Sequence, residues 1–125
     1  MKNIFLAILG LFFTQSAFSA DVSEMTQQQL LSQPKDSKLL ILDVRTPQEF
    51  AQGHVPGAVN ISHTEIENRL SEILKGKDEP VVVYCRSGVR AGKALDILKQ
   101  QGFSDLHHLQ GDMLGWEKAQ LAIEK

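Results

Sequence analysis

Cys85 is the only cysteine in the chain, and two arginines follow it within five residues in Val81-Val-Val-Tyr84-Cys85-Arg86-Ser87-Gly88-Val89-Arg90-Ala91. A cysteine reacts as its thiolate, and nearby positive charge and helix N-termini favour that form. Both are expected here. From Ala91 onward, Ala91, Ala94, Leu95 and Leu98 recur at helical spacing, so a tight turn carries Cys85 to the start of a helix. The unpaired amides and the dipole at that end attract an anion, and a short loop with inward-turned amides forms a nest for one. The expected result is a cup lined by Arg86, Ser87, Gly88, Val89 and Arg90, with a thiolate at its floor. A lone cysteine is more often an inert, buried small hydrophobe, but two arginines and a helix start argue against that reading.

The elements that must position this cup follow from hydrophobic patterning. Val81–Tyr84 is a run of β-branched and aromatic residues suited to a strand buried on both faces. Leu39–Leu42 is a second such run, ending at Asp43, and residues 58–61 read as a short third strand. Leu106 to Leu109 supplies another. Thr26-Gln-Gln-Gln29 and Thr46-Pro-Gln-Glu49 both have the form of a capping box, so helices are expected near 26–32 and from Pro47. Ile66, Leu70, Ile73 and Leu74 predict one face of a helix ending at Lys75-Gly76. A short terminal helix carries Trp116. Strands alternating with helices imply a largely parallel sheet covered on both sides, with ligands at the carboxyl ends of its strands. Cys85, Asp43 and Arg45 all fall at such ends.

At 125 residues and 42% hydrophobic content, the chain has length for a single domain. Its 13 Lys and Arg against 15 Asp and Glu give nothing that points to nucleic acid. The N-terminus differs in kind: Met1-Lys2-Asn3 precedes an apolar stretch from Ile4 to Phe13, followed by small and polar residues through Ala17-Phe18-Ser19. That is the layout of a secretory signal peptide over residues 1–19, with the mature domain occupying 20–125. The stretch falls short of the ~20 residues that span a bilayer. Export to the periplasm, an oxidising compartment, leaves one cysteine without an internal partner, so a free reactive thiol or an intermolecular bond is expected.

Asp43-Val-Arg45, Thr46-Pro-Gln-Glu49-Phe50, Gly53-His54-Val55-Pro56-Gly57-Ala58, Cys85-Arg-Ser-Gly-Val-Arg90 and Gly111 with Trp116 together resemble a single-domain rhodanese, a thiosulfate sulfurtransferase. The likeness runs from about Thr26 to Trp116, and it extends to exported phage-shock-type periplasmic rhodaneses and to similar exported proteins of sulfur-compound respiration. It implies a three-layer α/β/α sandwich around a mainly parallel five-stranded sheet. It also implies that Cys85 carries a sulfane sulfur as a persulfide, cradled by the amides from Arg86 to Arg90. Where the family often has two adjacent glycines, this chain has Gly111-Asp112.

The chemistry expected is ping-pong transfer of sulfur from a small sulfur-containing anion such as thiosulfate to a thiol or other thiophilic acceptor. Sulfite leaves readily, so no general acid is needed, which suits a loop with donors and no neighbouring histidine or carboxylate. Loop amides with Arg86 or Arg90 would stabilise the charge as it moves. Cysteine phosphatases, and with them arsenate reductases, form a rival class, but their arginine stands six positions after the cysteine, and Arg90 stands five after. A sulfur carrier without turnover is a second rival. Arg45 fits an anion-orienting rim or an ion pair with Asp43, for which the structural role is favoured. His54 reads as a turn residue bonding backbone. His63, His107 and His108 lack ligand spacing with Cys85, so neither metal nor cofactor is expected.

Overall fold

The computed structural model describes residues 22–125; the expected signal peptide and the start of the mature domain lie outside them. Five strands run in one sheet: β1 (Ser23–Met25), β2 (Leu40–Asp43), β3 (Val59–Asn60), β4 (Val81–Tyr84) and β5 (Leu106–Leu109). Their order is β1-β5-β4-β2-β3, and every pairing is parallel. The central position of β4 explains why all four of its residues are buried. Side chains on a strand alternate between faces, and the core divides accordingly. Val81 and Val83 join Leu42, Ile61, Ile66, Ala91, Ala94 and Leu98 on one face. Val82 and Tyr84 join Leu30, Val55, Met113 and Trp116 on the other.

Helix α1 (Gln27–Leu31) and α2 (Pro47–Gln52) start with the two capping boxes, each closed by both reciprocal hydrogen bonds. Helix α3 (Val89–Gln100) turns Ala91, Ala94, Leu95 and Leu98 onto the first face, and α4 (Asp112–Lys118) buries Met113 and Trp116 against the second. The result is the expected three-layer α/β/α sandwich. The Trp116 indole N–H finds the Ala122 carbonyl at 2.9 Å, so its polar edge is satisfied inside the core.

One expected element needs revision and one observed element was not expected. The helix expected through Ile66–Gly76 is instead a turn followed by two short 3₁₀ segments, Leu70–Glu72 and Leu74–Gly76, with a third, His63–Glu65, just before it. None has a side-chain cap, and the backbone closes on i→i+3 bonds such as Ile73 N–H to Leu70 and Gly76 N–H to Ile73. At three residues per turn the apolar stripe breaks up: Ile66 and Ile73 stay buried, while Leu74 points outward at 43% exposure. Strand β1 has no counterpart among the expected elements. Its three residues include one apolar side chain, and its strand character comes from pairing with β5 in the register Glu24↔His108.

Candidate active site

The sheet delivers Cys85 immediately beyond the carboxyl end of β4, where it is 1% exposed. The chain then turns through Gly88, the N-cap of α3, whose φ of +116° lies where glycine is favoured. A Cβ at that position would also stand 3.3 Å from Asp112 Oδ2. The turn aims two amides at the sulfur: Gly88 N–H donates to Cys85 Sγ at 3.0 Å and Ala91 N–H at 3.3 Å. First-turn amides of a helix have no partner within it, so Sγ receives donors that α3 leaves unpaired. Negative charge on sulfur is what this arrangement stabilises. Arg86 and Ser87 are exposed beside it, and no side chain among the described residues pairs with the Arg86 guanidinium.

Arg90 is more constrained than the sequence indicated. Its guanidinium forms a two-point bridge to Glu49, Nη1 to Oε1 at 2.7 Å and Nη2 to Oε2 at 3.1 Å. The hydrogen bond to Arg90, helped by the Thr46 amide, outweighs partial burial and pulls the Glu49 carboxyl down to about 2. Arg90 in turn is shifted upward, first by Glu49 and also by the charge of Cys85. The capping box of α2 thereby fixes the arginine that faces the loop: Glu49 Oε1 accepts the Thr46 amide and Arg90 Nη1 together, while Oε2 accepts Arg90 Nη2.

Arg45 is almost fully buried. Its Nε bonds both Asp43 oxygens, and its Nη2 bonds Asp43 Oδ2 at 2.7 Å and the Gly53 carbonyl at 2.8 Å. Asp43 also accepts the Arg45 amide. These contacts brace the β2–α2 turn against Gly53 and account for both residues structurally. The Tyr84 hydroxyl, which accepts the Val55 amide at 3.1 Å, is pushed up by burial and by Asp43 beside it and stays protonated. His54 donates from Nδ1 to the Phe50 carbonyl at 2.9 Å and stacks on the Phe50 ring, a turn role as expected. Among the described residues, no group of three or more His, Cys, Asp or Glu side chains is arranged to hold a metal ion.

The loop was expected to have no carboxylate or histidine beside it, and that expectation fails. Asp112 Oδ1 accepts the Cys85 amide at 3.1 Å, and His108 Nε2 meets both Asp112 oxygens at 3.0 Å. Hydrogen bonding to Asp112 is the main reason that His108 is raised to about 9, with Glu24 on the other ring nitrogen adding to it against the cost of burial. The sequence signal was the Gly111-Asp112 pair: both residues have positive φ, +87° and +54°, and a carboxylate stands where a second glycine is usual.

A buried cysteine whose sulfur receives two loop amides, at a strand end of a parallel α/β/α sheet, is an arrangement suited to negative charge. The comparisons make this specific. Residues 26–119 match the Rhodanese-like domain family, and the chain belongs to it. It is 39% identical to a sulfurtransferase of Allochromatium vinosum over 103 residues, covering 82% of this chain and 94% of that one. It is 36% identical to the thiosulfate sulfurtransferase PspE of Escherichia coli over 70 residues, covering 56% of this chain and 67% of PspE. Other relatives are much longer: the chain spans 21% of the adenylyltransferase/sulfurtransferase MoeZ of Mycobacterium tuberculosis. Among solved structures, a rhodanese-like domain protein of Staphylococcus aureus superposes with a TM-score of 0.69 at 30% identity, covering 83% of this chain and all of that one. The chain is therefore a sulfurtransferase-family domain with its cysteine in place.

Two outcomes follow from this geometry. Gly88→Ala, forced into a left-handed backbone against Asp112, is expected to lose about 1–2 kcal/mol in urea unfolding and to slow alkylation of Cys85 by iodoacetamide, because the Gly88 amide shifts off the sulfur; wild-type behaviour in both assays would contradict the assigned loop geometry. The Glu49 carboxyl lies below its unfolded value, so its contribution is complete above about pH 4.5 and disappears as pH falls toward about 2. Because the pair is partly exposed, we expect about 1 kcal/mol, seen as a steeper acid loss of stability in wild type than in Glu49→Gln. Parallel acid curves would remove the bridge as a stabilising contact.

Proposed function

We propose that the protein is an exported sulfurtransferase in which Cys85 takes the sulfane sulfur of thiosulfate, or of a related donor, and hands it to a thiophilic acceptor. The observation that carries this reading is the pair of amides, Gly88 and Ala91, aimed at Cys85 Sγ. The thiolate attacks the outer sulfur of thiosulfate; a bond forms between Sγ and that sulfur, the bond to the sulfonate sulfur breaks, and sulfite leaves with the electron pair. A cyanide or thiolate acceptor then attacks the terminal sulfur of the persulfide. Cys85 departs as the thiolate, and no proton is required in either half.

Donors fixed before reaction serve such a transfer well, since the same amides that hold the thiolate can follow negative charge onto the outer sulfur. Arg86, exposed and unpaired among the described residues, suits the approach of a dianion. Arg90 acts from its Glu49 bridge, contributing charge and anchoring the start of α3. The short five-residue step from Cys85 to Arg90 supports a sulfur-sized cup over a phosphoryl-sized one.

Incubation with thiosulfate is expected to add one sulfur atom to wild type and none to Cys85→Ala, read by intact mass spectrometry. An unmodified wild type, or equal adducts on both proteins, would sink the sulfur-transfer reading; hydrolysis of an aryl phosphate in its place would favour phosphatase chemistry. Export rests on the charged start, apolar stretch and small residues of positions 1–19. Protein recovered from the periplasm is expected to begin at Ala20, and a chain found in the cytoplasm still beginning at Met1 would refute it.

A further inference from the structure

We propose that Asp112, charged through His108, is a positioning residue of the sulfur-transfer centre that sets the backbone of Cys85 and couples the loop to pH. The proposal rests on the sulfurtransferase reading for its consequence in transfer, and on geometry alone for the coupling. Three bonds fasten the loop to the start of α4. Asp112 Oδ1 accepts the Cys85 amide at 3.1 Å, the Met113 amide donates to the Cys85 carbonyl at 3.0 Å, and the Leu114 amide donates to the Arg86 carbonyl at 3.2 Å. The two carbonyls nearest the nucleophile are thereby drawn toward α4, and the cup keeps donors facing the sulfur.

The protonation state follows from the contacts. His108 presents Nε2 to Asp112 at 3.0 Å and Nδ1 to Glu24 at 3.1 Å. A neutral imidazole has one N–H, and a ring between two carboxylates needs both nitrogens to donate, which only the imidazolium does. The groups facing His108 are Glu24 from β1, Asp112 from α4, Asp96 and Gly88 from α3 and its N-cap, and beyond Gly88 the sulfur of Cys85. Glu24, Asp96 and Asp112 are all acids, and the imidazolium is the cation in direct contact with two of them, while Arg90 acts on Cys85 from its Glu49 bridge. Asp112 also occupies a left-handed backbone conformation and is 3% exposed. A buried ion pair adds little net stability over apolar packing, and a non-glycine residue at positive φ is held there at a cost. Stability alone is thus a poor explanation for the pair.

Deprotonation of His108 leaves two carboxylates uncompensated behind the loop. The Cys85 amide then donates to a differently polarised Asp112, and an anionic donor meets more negative charge. Thiosulfate does not titrate in this range, so a change in loading rate reports on the protein. With His108 raised to about 9, loading is expected to slow above that pH in wild type, by on the order of tenfold, the scale of one charge acting over about 10 Å at an effective dielectric constant of about 20. The slow high-pH limb should be missing in His108→Gln and should move to lower pH in Asp112→Asn, which keeps an oxygen for the Cys85 amide but withdraws one of the two carboxylates that hold His108 protonated.

The test is an NMR titration of ¹⁵N-labelled full-length protein from pH 6 to 11, run beside thiosulfate loading followed by mass. The Cys85 amide resonance should follow the His108 ring titration in wild type and lose that step in His108→Gln. A Cys85 amide blind to the His108 titration in wild type overturns the proposal, and needs no variant to fold. Coupled resonances with identical loading profiles in wild type and both variants overturn the role in transfer. Coupled resonances in a wild type that never takes up sulfur support the positioning and refute the sulfurtransferase reading, so the two failures are separable.

Discussion

The sulfur of Cys85 held between the Gly88 and Ala91 amides is the contact on which the rest of this molecule depends. It requires a strand that ends in the middle of a sheet, a turn that only glycine makes comfortably, and a helix that starts at once. The all-parallel order β1-β5-β4-β2-β3 supplies the first by putting β4 at the centre. Gly88 supplies the second, and the apolar stripe of α3, buried against β4 and β5, supplies the third. Hydrophobic packing thus pays for donors that a helix end leaves unpaired, and the sulfur collects them.

Around that contact, acid–base pairs keep the backbone still. Glu49 ties the start of α2 to Arg90 at the start of α3. Asp43 and Arg45 close the β2–α2 turn beneath, over the Tyr84 ring. Asp112 and His108 hold the far side. Each pair lies at the carboxyl end of the sheet; Glu49–Arg90 joins helices that follow different strands, whereas Asp43–Arg45 and His108–Asp112 each fasten a strand end to the segment that leaves it. These charges fix geometry, while Arg86 remains exposed. In the sulfur-transfer reading, that division of labour lets a reaction without proton transfer run on fixed amides.

Features encoded within a few residues were legible in the sequence. The two capping boxes, the β4 run, the helix stripe after Cys85 and the turn role of His54 all depend on neighbours along the chain, and each appears where expected. Residues 66–76 were misread because the apolar spacing at Ile66, Leu70, Ile73 and Leu74 fits a helix, while uncapped ends and i→i+3 closure divide it into a turn and 3₁₀ pieces. Strand β1 exists by pairing with β5, a relation spanning the whole domain. The Asp112 contact to the Cys85 amide crosses 27 positions, and no local rule indicates it. Its one trace was a carboxylate in place of a second glycine.

The most direct measurement of the central claim is a crystal structure of the protein after reaction with thiosulfate. The account predicts one extra sulfur bonded to Cys85 Sγ, inside the loop and within hydrogen-bond reach of the α3 first-turn amides, with the Asp112–Cys85 bond retained. Clear density for a bare Cys85, or for sulfur lodged away from those amides, would contradict it.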